Sequence, residues 1–293
     1  MHQLKHEDWK DTKMTLHLLS QILGKVRLEM AEQQPQWAHV TLPLTPGGFS
    51  TGRLYHNESC FSIELNVLQH KIIVTCEGER AIIPLKDGTT IQSYYRQLAA
   101  ALEQFGCPVS IFTKPQEMTY VTPFESCTDV FTYDPELAVA GFRLFQHAER
   151  ELTAFLAPLR TRKVMPALFW GTFDVSGLIV SDQYEPFPED KVIEKGAFDE
   201  QFVEFGFWTG DEQVNEPTYF VLPYPFLFQE LTSGTLEPED AWYDASLSEA
   251  FYRGSDVQTF LTSSFKLMAE ELGWEKTDHI FRPLSMPPQK NRR

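Results

Sequence analysis

The chain lacks the signatures that would place it at once, and each absence narrows the field. No apolar run approaches the roughly 18 residues that a membrane helix needs. The longest, Phe220 to Phe228, is broken by Pro223 and Pro225. The stretch Met1 to Lys13 is charged and has no apolar segment of the secretory kind, so a cytoplasmic protein is expected. Cysteine is scarce. Cys60, Cys76, Cys107 and Cys127 are far apart, and none forms a Cys-x-x-Cys pair. Buried, reduced thiols are the expected state, and no cysteine has the electropositive sequence neighbours of a reactive thiolate.

Motifs with a known mechanism are also missing. There is no phosphate-cradling Gly-x-x-x-x-Gly-Lys and no Gly-x-Gly-x-x-Gly. A Gly-x-Ser-x-Gly elbow and a His-Glu-x-x-His pair are absent too. Asp182, Glu185, Glu189 and Asp190 are not spaced as a calcium loop, which needs alternate ligands and a central glycine. His147 and Glu151 stand one helical turn apart, but Arg143 and Arg150 beside them make a surface ion-pair network the expected reading. No set of metal ligands and no cofactor is read from the sequence.

Basic residues are few in one region only. Residues 181–282 hold 22 acidic and 6 basic side chains, whereas the rest of the chain holds 19 of each, so the net charge of −16 lies wholly in the C-terminal third. Such a surface repels nucleic acid and anionic lipid. It reads either as a solvated, solubilising face or as a docking face for a basic partner.

What the chain does have is aromatic residues, 13% of its length, with an apolar content of 42% that is ample for a buried core. Two stretches echo each other: Phe169-Trp170-Gly171-Thr172-Phe173-Asp174 and Phe205-Gly206-Phe207-Trp208-Thr209-Gly210-Asp211. Read as a strand, the first puts Trp170, Thr172 and Asp174 on one face and Phe169, Phe173 and Val175 on the other. The second puts Phe205 and Phe207 on one face and Trp208 on the other. The polar loop 211–217 and the apolar run Tyr219 to Tyr224 then predict an antiparallel hairpin. Such a sheet is either plain aromatic core or one wall of a pocket lined by Trp170, Asp174 and Trp208.

Residues 11–31 predict an amphipathic helix capped at Asp11, with Leu16, Leu19, Leu23, Val26 and Met30 as its stripe. Its opposite row, His17, Gln21 and Lys25, reads either as a solvent face, the expected state of an amphipathic helix, or as the polar wall of a pocket, toward which Gly24 points because it suggests close approach by another element. Alternation predicts strands at 37–45, 49–56, 61–67, 72–76 and 81–85, the tight spacing of a meander. A helix from Thr89 or Thr90 to Gly106 follows, then a strand at 107–113 and an irregular link at 114–133. Asp134-Pro135 opens a helix to about Leu159, and Ser255 or Asp256 opens a last one ending at Gly273. The fold class is therefore α+β. An N-terminal antiparallel meander and a C-terminal aromatic-rich sheet pack with about four main helices. Residues 1–282 form one compact domain, divisible into lobes near residue 125, and 283–293 form a frayed basic tail.

Several segments together resemble an uncharacterised bacterial family known as a domain of unknown function (DUF5996-like). They are Thr15-Leu16-His17, Gly24-Lys25-Val26-Arg27-Leu28, Trp37-Ala38-His39-Val40, Phe169-Trp170-Gly171-Thr172-Phe173-Asp174, Gly206-Phe207-Trp208-Thr209-Gly210, and Glu216-Pro217 leading into Tyr224-Pro225. The resemblance runs from about residue 9 to 274. It departs from the family pattern at Ala38 and Thr209, and it implies no activity.

Two functions of different kind are compatible with these residues. One is a cytoplasmic small-molecule-binding protein or enzyme with a polar and aromatic pocket between the two sheets. There His17, His39 and Asp174 would be the catalytic candidates, because a histidine near a carboxylate serves as a general base. Gln21, Lys25, Arg27, Trp170, Trp208 and Tyr224 would hold the ligand, the cations on an anionic group and the aromatics on a flat one. The other is a non-catalytic interaction module that uses the acidic third. The module predicts a complex with a basic partner that dissociates as salt is added, because exposed charge attraction is screened. Pull-downs at low and high ionic strength check this, and a complex that ignores salt contradicts it.

Overall fold

The computed structural model describes residues 4–285, except for the side chain of Val192. Its first element, α1 (His6–Met30), is 25 residues long and passes through the interior. The stripe Leu16, Leu19, Leu23 and Val26 is buried as the spacing predicts, but so are His17, Ser20, Gln21 and Lys25 on the opposite side. The expected solvent-facing row is thus an interior row, and the reason is local. Each of these polar side chains finds a carbonyl or amide partner on another segment, or on the helix itself for Ser20, so burial leaves few hydrogen bonds unmade. The helix begins before Asp11, where the Lys5 N–H donates to Asp8 Oδ2 at 3.0 Å.

The meander follows as β1 (Gly48–Ser50), β2 (Leu54–His56), β3 (Ser59–Asn66), β4 (Lys71–Cys76) and β5 (Glu79–Pro84), with β3 pairing β1, β2 and β4 and β4 pairing β5, all antiparallel. Phe61, Ile63, Leu65 and Val67 are buried, as their alternation requires. Helix α2 (Ile91–Gln104) is capped by Thr90, whose hydroxyl accepts from Ser93 N–H at 3.1 Å. Two predicted strands do not form. Residues 37–45 make a short 3-10 turn at Pro35–Trp37, with Trp37 itself at positive φ, and then only single bridges, Leu42 to Leu168 and Leu44 to Phe49. Pro43 and Pro46 remove the donors a continuous ladder would need. Residues 107–113 are also irregular, with Pro108 at their start.

Helix α3 (Pro135–Leu156) starts where Asp134 accepts from the N–H groups of Glu136 and Leu137. The second sheet comprises β6 (Arg162–Phe169), β7 (Asp174–Tyr184), β8 (Glu200–Trp208), β9 (Thr218–Tyr224), β10 (Trp242–Asp244) and β11 (Glu249–Tyr252). It is antiparallel throughout, in the order β10-β11-β9-β8-β7-β6. A short helix, α4 (Val192–Ala197), lies between β7 and β8, and α5 (Val257–Glu271) closes the core after Asp256 caps it. One face of this sheet, with Val175, Val203, Phe205 and Val221, is buried on the α3 and α5 side. A single apolar cluster runs from Trp9 to Ile280 and joins both sheets to the helices. Among the described residues no helix is long and apolar enough to cross a membrane. Most of the expected tail, residues 286–293, lies outside the described residues.

The first aromatic-glycine stretch is not a strand. Phe169 ends β6, Asp174 opens β7 opposite it, and residues 170–173 form the turn between, closed by Phe173 N–H on Phe169 O at 3.0 Å with Phe173 at φ 59°. Trp170 therefore leaves the sheet and lies on α1 at Gly24, where an added Cβ would sit 1.9 Å from the indole Cδ1. Gly24→Ala is expected to destabilise the protein by about 1–3 kcal/mol through this overlap, against the gain of about 1 kcal/mol that the exchange brings inside an open helix. Chemical denaturation of the two proteins checks the sign.

Candidate functional site

The remaining face of the six-stranded sheet is separated by open space from the elements above it. Strand register sets its contents in rows. Ser176, Gly206, Phe220, Phe251 and Trp242 are paired across five strands. One row away on one side stand Leu178, Glu204, Leu222 and Glu249, and on the other Asp174, Trp208, Thr218 and Arg253. Gly206 makes room for the strip, because Phe220 lies across it with Cζ 2.1 Å from where a Cβ would be. Above this floor are the first half of α1, the turn around Trp37, residues 117–119 and α4. Together they enclose a cavity of about 960 Å³. No residue of the five-stranded sheet lines it, so the opening lies between one sheet and α1, not between the two sheets.

His17, Asp174 and Trp208 line this cavity. The His17 Nε2–H donates to Trp170 O at 3.0 Å and Gly171 O at 2.9 Å, so the tautomer is set by the turn and only Nδ1 is left as an acceptor. Its ring stacks on Phe173 at 5.0 Å. Burial lowers its pKa to about 4, keeping the ring neutral near pH 7. Asp174 accepts from the Thr172 hydroxyl, and no His17–Asp174 hydrogen bond is among those found.

The other residues singled out in the sequence lie apart from the cavity. Gln21 donates to Gln116 O at 2.6 Å and accepts from Gln116 N–H at 3.0 Å. Lys25 donates to Gln116 Oε1 and sits 5.2 Å from the Trp170 ring. Trp170 donates to Val40 O at 3.0 Å. These three clamp α1 to the 116 segment and the 170–173 turn. Arg27 donates to the carbonyls of His39 and Thr51, and His39 accepts from Gln34 N–H at 3.1 Å, so both hold the 34–51 segment. Tyr224 is stacked on Phe202, 5.4 Å between centroids, in a satellite core with Val180. His147 accepts from Arg150, which also pairs with Glu151 at 3.1 Å on the surface.

Apart from Asp174, sequence reasoning overlooked the acids of the cavity. Burial raises Asp174 to about 6. Burial first, and the Asp174 charge second, raise Glu204 to about 8 and Glu117 and Glu249 to about 7 each. Glu204 was legible in principle, as a lone acid in the run Phe202 to Trp208, two steps of alternation from Trp208 and hence on its face. Lys13 on the roof donates to Gly210 O, and burial lowers it to about 8. Among the described residues no three of His, Cys, Asp and Glu converge as a metal site would require. Chemically, the chamber offers flat aromatic walls and carboxyls that exchange protons near pH 7.

A largely apolar cleft with titratable walls and an antiparallel sheet packed with helices defines an α+β protein with a half-open cavity. The family model described as "Family of unknown function (DUF5996)" matches residues 1–279, and the chain belongs to that family. No curated protein and no solved structure matches it significantly.

Raised carboxyl pKa values make folding stability fall as pH rises, because the native state binds protons that the unfolded chain has released. Between pH 7 and 8 Lys13 and Lys25, both lowered to about 8 by burial, begin to lose their protons in the native state and offset part of this fall. The difference between wild type and Glu204→Gln over this window therefore isolates one acid. Wild type is expected to lose stability from pH 7 to 8, by at most about 1.4 kcal/mol per group, and Glu204→Gln to lose measurably less. Urea denaturation at the two pH values checks this.

Proposed function

We propose that the chain binds a small organic molecule in the cavity between α1 and the open face of the six-stranded sheet. The observation that carries this reading is a chamber of about 960 Å³ with Trp37, Trp208, Phe220 and Phe251 around it and acids on its floor. Small-molecule sites have this make-up, a largely apolar lining with a few placed polar groups. A closed core would have filled the space, since interiors pack without large voids. Of the C-terminal acids, half-buried Glu204 and Glu249 turn inward here, whereas Glu212 stays exposed at the rim. His17 acts in this reading as a neutral acceptor through Nδ1, positioned by the 170–173 turn. Three of the four free cysteines are buried, which supports a reducing compartment such as the cytoplasm.

A thermal-shift screen against metabolites tests the reading. A ligand at 100 times its Kd adds about 2.7 kcal/mol of stability, a rise in Tm that is easily read. Trp208→Ala is expected to abolish that rise while keeping a cooperative melt. An equal rise in wild type and Trp208→Ala contradicts the site.

A further inference from the structure

We propose that the ligand is an organic cation, an amine whose apolar body lies on the Phe220–Phe251 strip with its ammonium among Glu204, Glu249 and Asp174. This rests on the binding reading above and names the class of molecule.

The floor is built for a cation on both sides. Register places Glu204 and Glu249 in the row flanking the aromatic strip on one side and Asp174 in the row flanking it on the other. An ammonium between them would meet carboxylates and ring faces together, the two groups that attract it most in a desolvated site. No salt bridge reaches any of these three acids among the described residues.

The protein's own cations are engaged elsewhere. Lys13 donates to Gly210 O and faces Asp211 and Glu212. Arg253 pairs with Glu216 at 3.1 Å, donates to Thr218 Oγ1 at 3.1 Å, and lies 5.0 Å from the Trp242 ring. Lys10 is exposed at the rim. The floor acids are therefore uncompensated, and Glu117, Glu194 and Asp244 extend the excess to the walls. An anionic ligand would add charge to a chamber already rich in acids. A cation would instead release their protons and take the place of the missing partner.

A second observation points to a polar ligand. His6 is 7% exposed, lines the same cavity, and neither ring nitrogen has a hydrogen-bond partner. Its nearest acidic neighbour, Glu212, stands 3.6 Å away. A buried imidazole without a partner carries a desolvation cost that a ligand would relieve. Burial lowers its pKa, and the neutral ring has a lone pair to offer an N–H donor.

Three indoles that share one flat body separate the charge classes: tryptamine, tryptophol and indole-3-acetate. Isothermal titration at pH 7 is expected to show tryptamine bound at least about tenfold tighter than tryptophol, with indole-3-acetate weaker still. Titration in two buffers of different ionisation enthalpy should show protons released on tryptamine binding. Glu204→Gln and Glu249→Gln should each weaken tryptamine at least about tenfold and leave tryptophol unchanged; having two variants guards against one that fails to fold. Equal binding of tryptophol or indole-3-acetate, or tryptamine binding indifferent to both substitutions, overturns the cation and leaves the binding reading standing. If tryptamine, spermidine and choline all fail to bind, the cation is also overturned, and the wider metabolite screen alone decides the binding reading.

Discussion

A helix buried on every side must satisfy its polar side chains inside the protein, and α1 does so against the 170–173 turn. The His17 imidazole donates to the carbonyls of that turn, Gln21 and Lys25 hold the neighbouring 116 segment, and Gly24 receives the Trp170 ring. The rest of the arrangement depends on this clasp. The turn fixes where β7 begins, and so it fixes Asp174 as the first residue of the strand. From Asp174 the antiparallel register sets the order of every side chain across the open face of the sheet. An unmade bond in the clasp would leave a buried carbonyl or imidazole without a partner, which typically costs about 1–3 kcal/mol.

The two faces of the six-stranded sheet meet different physical demands. On the α3 and α5 side, branched and aromatic residues fill the space to core density. On the other side, Gly206 has no side chain and lets Phe220 lie across it, and among the described residues no salt bridge reaches the acids at Glu204 and Glu249. Buried Asp174 and half-buried Glu204 and Glu249 cannot all ionise cheaply, since desolvation and mutual repulsion both favour the neutral form. The chamber therefore holds protons near pH 7, and its charge responds to whatever enters it.

How much of this could be read in the sequence follows from the range of each signal. The strands at 61–67, 72–76 and 81–85, the helices capped at Thr90, Asp134 and Asp256, and the hairpin from Trp208 to Thr218 are local patterns of alternation and capping, and they stand where those patterns put them, whereas the strand expected at 49–56 forms only as β1 and β2 on either side of residues 51–53. The strands expected at 37–45 and 107–113 failed because their apolar alternation competes with prolines that cannot donate. The row His17, Gln21 and Lys25 was expected at solvent because a helix sequence cannot show what packs on its polar side. Trp170 and Asp174 were expected to share a face, yet a turn at Gly171 sends them apart. His17, Asp174 and Trp208 meet at one cavity through long-range register. Glu204 and Glu249 were passed over because a single acid in an aromatic strand carries no motif, and only the sheet brings them together.

The central claim is that burial keeps the carboxyls of this chamber partly protonated at neutral pH, ready for a ligand. Infrared spectroscopy reads it directly, through the C=O stretch that belongs to a protonated carboxylic acid and not to a carboxylate. At pH 7 the folded protein should retain this band, and the band should shrink in Glu204→Gln and vanish on unfolding. A folded protein with no such band at pH 7, or a band unaffected by Glu204→Gln, would contradict the claim.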